Sequence, residues 1–82
     1  MSDQISIVGI IVSHRCKNGL HVQERLSHHC DTILCRQGVT DPNSSDGIIT
    51  VIMHGDDDKV MNLVKDLSGI NGVRVAYSQF KN

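Results

Sequence analysis

The sequence predicts an α+β chain of ferredoxin-like β-α-β-β-α-β topology. Its antiparallel sheet would have strand order 4-1-3-2, with both helices on one face. Two observations carry that expectation. Segments of strand and helix period alternate in that order along the chain. The first and third strand segments are apolar on both faces, as the central pair of such a sheet must be.

Residues 4–13 form the first strand segment, with Ile5, Ile7 and Ile11 on one face and Val8, Ile10 and Val12 on the other. Residues 15–19 break it, and Asn18 is the expected N-cap of a helix over residues 20–29. The apolar stripe of that helix is thin: Val22, Leu26 and His29, with Gly19 permitting close approach. Residues 31–39 form the second strand segment, apolar at Ile33 and Leu34 and interrupted by Arg36 and Gln37. The polar stretch 40–47, TDPNSSDG, is the one loop-rich tract and makes a hairpin centred near Asn43. Residues 48–54 are again apolar on both faces. Asp56, Asp57 and Asp58 then cap a second helix, whose Val60, Leu63, Val64 and Leu67 repeat at i, i+3, i+4, i+7. Burying those four side chains is worth on the order of 6–12 kcal/mol gross. Gly69 and Gly72 end the helix, and Val73, Val75 and Tyr77 alternate with polar or small residues as in a half-buried strand.

Composition narrows the function classes. The 82 residues make one domain, 1–82, of a size that buries roughly 60% of its unfolded surface and is marginal alone. A net charge of −1 leaves no electrostatic footprint for nucleic acid, and two aromatic residues, Tyr77 and Phe80, cannot build a base-stacking platform. No basic arm or DNA-reading element precedes the first strand, so direct nucleic-acid binding is not expected. No apolar run approaches the ~20 residues of a membrane span, and the N-terminus has no secretory leader pattern. Three cysteines without framework spacing point to reduced thiols and a cytoplasmic chain.

In this topology the helices cover one sheet face only, yet the two central strands are aliphatic on both. The bare face calls for a second layer, most simply another copy of the chain, so a homo-oligomer, dimer or tetramer, is expected. Val12 and Ile52 are the test positions: whichever lies on the open face should break the assembly when replaced by Glu.

Two constellations could carry chemistry. The turn from His14 to Gly19 joins an internal strand to a helix N-terminus, where free N–H groups and the helix dipole favour an anion. Arg15 and Lys17 add positive charge there. Enzymatic readings of the turn fail: a cysteine-phosphatase loop needs an Arg six residues after its Cys, and position 22 is Val22. A heavy-metal transfer loop needs two cysteines, and only Cys16 is present. No general base is placed with Arg15 or Lys17, so catalysis is not expected. The second constellation is His28, His29, Cys30 and His54. The hairpin would set His54 across from Thr32 and gather all four at one end of the sandwich, a donor set suited to Ni, Zn or Cu. Cys35, inside the second strand, reads as a packing residue. Arg36 with Gly38 suggests a bulge or an interface contact.

The run Ile33-Leu34-Cys35-Arg36-Gln37-Gly38, the polar loop, Ile48-Ile49, and Asn71-Gly72-Val73-Arg74-Val75 together resemble the iron-only hydrogenase system regulator family, small ACT-like proteins, over essentially the whole chain. The resemblance implies a non-enzymatic regulatory domain in transcription regulation, acting with a regulatory protein partner. ACT domains bind amino acids at the turn from first strand to first helix, at a subunit interface. The matching stretch here is Asn18-Gly19-Leu20, which with Arg15 and Lys17 is the expected effector site. The topology is also similar to the sensor domain of the nickel-responsive repressor, but its second-strand ligands fall where this chain has no histidine. A small-molecule effector is therefore the first expectation and a metal at His28, His29, Cys30 and His54 the alternative.

Overall fold

The alternating periods resolve into six elements in a computed structural model that describes residues 4–80, the Cys16 side chain excepted. They are β1 (Gln4–Val12), α1 (Arg15–Ser27), β2 (Ile33–Thr40), β3 (Gly47–Gly55), α2 (Asp57–Ser68) and β4 (Val73–Phe80). The sheet runs β2-β3-β1-β4, which is the expected 4-1-3-2 seen from the other edge. Every neighbouring pair is antiparallel. No helix among the described residues is long and apolar enough to cross a membrane.

Register decides which apolar set faces the helices. Ser6, Val8, Ile10 and Val12 of β1 and Ile49, Val51 and Met53 of β3 are buried under α1 and α2. They pack with Val22 and Leu26 of α1 and Val60, Leu63 and Leu67 of α2. Opposed residues of an antiparallel pair share a face. Ile7 lies opposite Ile52, and Ile11 opposite Ile48, on the side that no helix covers. Val12 is thus a core residue and Ile52 an open-face residue, which resolves the two test positions.

The structure moves two element boundaries and reassigns the roles of several residues. Helix α1 begins at Arg15, well before the expected start, because His14 takes a left-handed conformation (φ 53°) that turns the chain directly out of β1. Asn18 is therefore not a cap. It sits in the second turn, and its Nδ2 donates to Ser13 O at 2.7 Å. Strand β2 begins at Ile33, since Thr32 belongs to the preceding turn, where its N–H and its Oγ1 both donate to His29 O. Between Ile33 and Cys35 two residues of β2 oppose one of β3, so the bulge falls at Leu34 and not at the Arg36–Gly38 pair. The bulge also alters the face: Ile33 points to the helices and Cys35 to the open side, exposed and outside the core.

The start of α2 matches expectation. Asp56 is the N-cap and its carboxylate accepts from Lys59 N at 3.1 Å, while Asp57 and Asp58 complement the dipole in the first turn.

Candidate functional site

Helix α1 and strand β2 leave a gap between them, and sequence explains why. Among the described side chains of α1, only Val22 and Leu26 are fully buried. Its other inward stripe, Arg15, Gly19 and Gln23, repeats at i, i+4, i+8 and brings no apolar bulk. The helix-facing positions of β2 beyond the bulge are Arg36, Gly38 and Thr40. Neither side can fill the space, and a cleft of about 590 Å³ remains, its walls Arg15, Gly19 and Gln23 and its floor Gly38, Thr40 and Ile49.

The three glycines that line the cleft act differently. A Cβ at Gly19 would meet nothing within 4 Å, so Gly19 opens space and does not serve a close helix approach. At Gly38 a Cβ would be in ordinary contact, 3.9 Å from Ile49 Cγ1. At Gly47 it would lie 3.2 Å from Arg15 Cβ, so Gly47 lets the arginine stem lie flat on the hairpin. The main chain of Arg15 is held as well, its N–H donating to Ser45 O at 2.9 Å.

The electrostatics are one-sided. The first turn of α1 has no acidic residue and His14 makes no side-chain cap. Arg15 and Lys17 place positive charge at the positive end of the helix dipole, a locally unfavourable arrangement that an anion would relieve.

Of the residues expected to bind an effector, Arg15 and Gly19 line the cleft. Lys17 is exposed beside its mouth in sequence but does not line it. Asn18 faces the start of β4 and is committed to Ser13 O. Leu20 is 73% exposed and lines none of the cleft. Sequence reasoning missed Gln23, Gly38, Thr40 and Gly47. The stripe through Gln23 was hidden because the helix was expected to begin after Gly19. Gly38 was noticed, but only as a sign of a bulge or an interface contact.

The histidine and cysteine set is not gathered. His54 N donates to Thr32 O at 2.9 Å, so the expected juxtaposition across the hairpin is present in the backbone. The side chain, however, shares the open face with Ile5. His29 belongs to the helical layer, its Nε2 3.0 Å from Asp66 Oδ2, where Arg25 also reaches Asp66 at 3.3 Å. His28 is the exposed C-cap of α1 and Cys30 an exposed turn residue. Among the described residues no three His, Cys, Asp or Glu side chains are placed to hold a metal ion.

Gly19 gives a direct measure of what the cleft costs the helix. Gly19→Ala is expected to stabilise the protein by about 0.5–1 kcal/mol, because alanine is the better helix former and meets no neighbour. Thermal melting followed by circular dichroism checks it, and a fall in melting temperature would show that the position is not the open helical site described.

Comparison with known proteins places this architecture. Residues 4–77 match the TM1266-like family, described as "Iron-only hydrogenase system regulator, putative". The structure of TM1266 from Thermotoga maritima is similar at a TM-score of 0.90 and 30% identity, covering 98% of this chain and 100% of that one. The C-terminal domain of MgtC from Mycobacterium tuberculosis is similar at a TM-score of 0.75 and 17% identity, covering 96% and 89%. A nitrogen regulatory PII-like protein, CPII from Thiomonas intermedia K12, solved with ADP, AMP and bicarbonate, is similar at a TM-score of 0.55 and 13% identity, covering 99% and 96%. The last two share the fold alone. No curated protein matches the sequence.

Proposed function

We propose that this chain, which belongs to the TM1266-like family of iron-only hydrogenase system regulators, is a non-enzymatic sensor of a small anionic effector. It works in the cytoplasm as a homo-oligomer. The effector sits in the cleft between α1 and the β2–β3 hairpin. Its anionic group meets the Arg15 side chain, and its body lies over Gly19 and Gly38. The single observation that carries this reading is the cleft itself: about 590 Å³, within the range of small-molecule sites, with a cation at one end and glycines where side chains would close it.

The signal is linkage. An effector that binds one arrangement of subunits more tightly shifts the population toward it, and a protein partner reads that arrangement. Any effect on transcription passes through that partner, since the chain has neither net positive charge nor aromatic stacking surface of its own.

Two measurements test the proposal. Native mass spectrometry of gently purified protein should show a retained small molecule or, after its removal, binding from a panel of carboxylates and phosphate esters. A ligand at ~100 times its dissociation constant should stabilise the fold by about 2.7 kcal/mol. Arg15→Ala and Gly38→Val should each remove that stabilisation while leaving the unliganded melting temperature within a few degrees. A protein that retains nothing and gains no stability from any member of the panel is not this sensor.

A further inference from the structure

The open face of the sheet has a shape as well as a polarity. Along it, residues opposed across the strands form rows: Phe80 with Ile5 and His54, then Ser78 with Ile7, Ile52 and Cys35, then Ala76 with Gly9, Thr50 and Gln37, then Arg74 with Ile11, Ile48 and Val39. Phe80 is 57% exposed, Ile5 40% and Ile7 37%. On β4 and β1 the row of Ala76 and Gly9 has almost no side chain, while Thr50 and Gln37 continue it on β3 and β2, and a hollow of about 350 Å³ opens over Ala76 and Gly9, bounded by Ile11, Ile48 and Arg74. The face therefore bears a ridge at Phe80 and Ile5, and a depression two rows away on the same two strands.

We propose that two copies close face to face about a two-fold axis lying along the Ile7 row, so that Phe80 and Ile5 of each copy enter the Gly9–Ala76 hollow of the other. The proposal rests on the homo-oligomer reading above and adds its register. A two-fold along that row reverses strand direction and keeps each strand over its own copy. Phe80, one row to one side of the axis, then lies over Ala76, one row to the other side, and Ile5 over Gly9. Both contacts occur twice, as an isologous interface requires. A two-fold parallel to the strands would instead set Gly9 over Thr50 and leave both hollows empty, forfeiting the contacts that close packing supplies.

Charge and area agree with a second copy as the occupant. Among the described residues, Arg74 is the only arginine or lysine at an open-face position paired in the ladder, and the operation carries it to the rim of the partner's sheet rather than beneath its centre. Four strands about 4.8 Å apart and eight residues long at about 3.3 Å each present roughly 500 Å² per copy, or about 1,000 Å² for the pair, the lower bound of a specific interface.

Exchange of ridge and hollow tests the register. Sedimentation equilibrium would be run on the full chain, on Phe80→Ala, on Ala76→Phe, and on the double variant Ala76→Phe/Phe80→Ala, with circular dichroism confirming that each is folded. Each single change should weaken association roughly 100-fold or more, because two aromatic contacts are lost or two hollows blocked per dimer. The double variant should recover to within about tenfold of the parent, since the new aromatic ring lies over the vacated position of the other copy. A double variant no better than its worse parent, or single variants that associate as the parent does, overturns the register while leaving the homo-oligomer reading intact. A parent chain that stays monomeric at high micromolar concentration overturns both.

Discussion

Val12→Glu is expected to leave the chain unfolded, whereas the same substitution at Ile52 should leave it folded and dissociated. The two residues are both aliphatic and both in central strands. Val12 is 1% exposed beneath the helices, packed with the aliphatic core cluster. A carboxylate there would lose its hydration among hydrocarbon neighbours, and a buried unpaired charge costs several kcal/mol after relaxation. A domain of this size has about 5 kcal/mol or little more to lose. Ile52 lies on the open face opposite Ile7 and is only half-buried, so a carboxylate there can stay in water in a separated subunit. In the face-to-face assembly the two introduced carboxylates would lie near the axis and repel. Far-UV circular dichroism should therefore distinguish the variants, with the native spectrum lost for Val12→Glu and kept for Ile52→Glu, and size exclusion should show the second at the size of one subunit. An Ile52→Glu variant that retains the parental size would remove the open face from the assembly. A folded Val12→Glu variant would mean that the register of β1 is wrong by one residue, which would invert the inside and outside of the strand.

What was legible in the sequence follows from how local the signal is. The strand order came from comparing whole segments: only two were aliphatic at both parities along their whole length, and the topology has two central strands. The second helix was legible to within a residue because its apolar period and its acidic start agree. The first helix was not, because its start has no side-chain signature. His14 enters the left-handed region without a glycine and caps nothing with its side chain, so no residue-type rule marks the boundary. That one misplacement hid the candidate site, since Arg15 and Gly19 read as loop positions do not align with Gln23. The bulge at Leu34 was similarly silent. It depends on how β2 meets β3, and its effect is to bring Cys35 out of the core. The expected metal set failed for a related reason. Proximity along the hairpin was real for the backbone of His54, but face is decided by parity, and parity puts that imidazole on the opposite side of the sheet from His29.

Gly72→Val is expected to lower the stability by about 3 kcal/mol, the larger part of what a marginal domain has. Gly72 adopts φ 82°, a conformation that costs a residue with a Cβ roughly 1–2 kcal/mol and a β-branched one more. A Cβ would also lie 2.9 Å from Asn18 Nδ2 and 3.6 Å from Ser13 Cβ. Asn18 is not free to retreat, because that nitrogen donates to Ser13 O at 2.7 Å. Displacing it forfeits a part-buried hydrogen bond, worth about 1 kcal/mol, and strains the neighbouring bond from Ser13 N to Gly72 O at 2.8 Å. These contacts are what tie the end of β1 to the start of β4 and fix where α1 begins, so the loss reaches the candidate cleft through the position of Arg15. For a chain of this length the melting temperature should fall by roughly 12–24 °C. Asn18→Ala separates the two causes. Alone it should cost about 1 kcal/mol, and combined with Gly72→Val it should add little, because the bond it removes is already broken. Strictly additive losses in that cycle would show that Gly72 acts through backbone conformation alone and that Asn18 has no part in holding the junction.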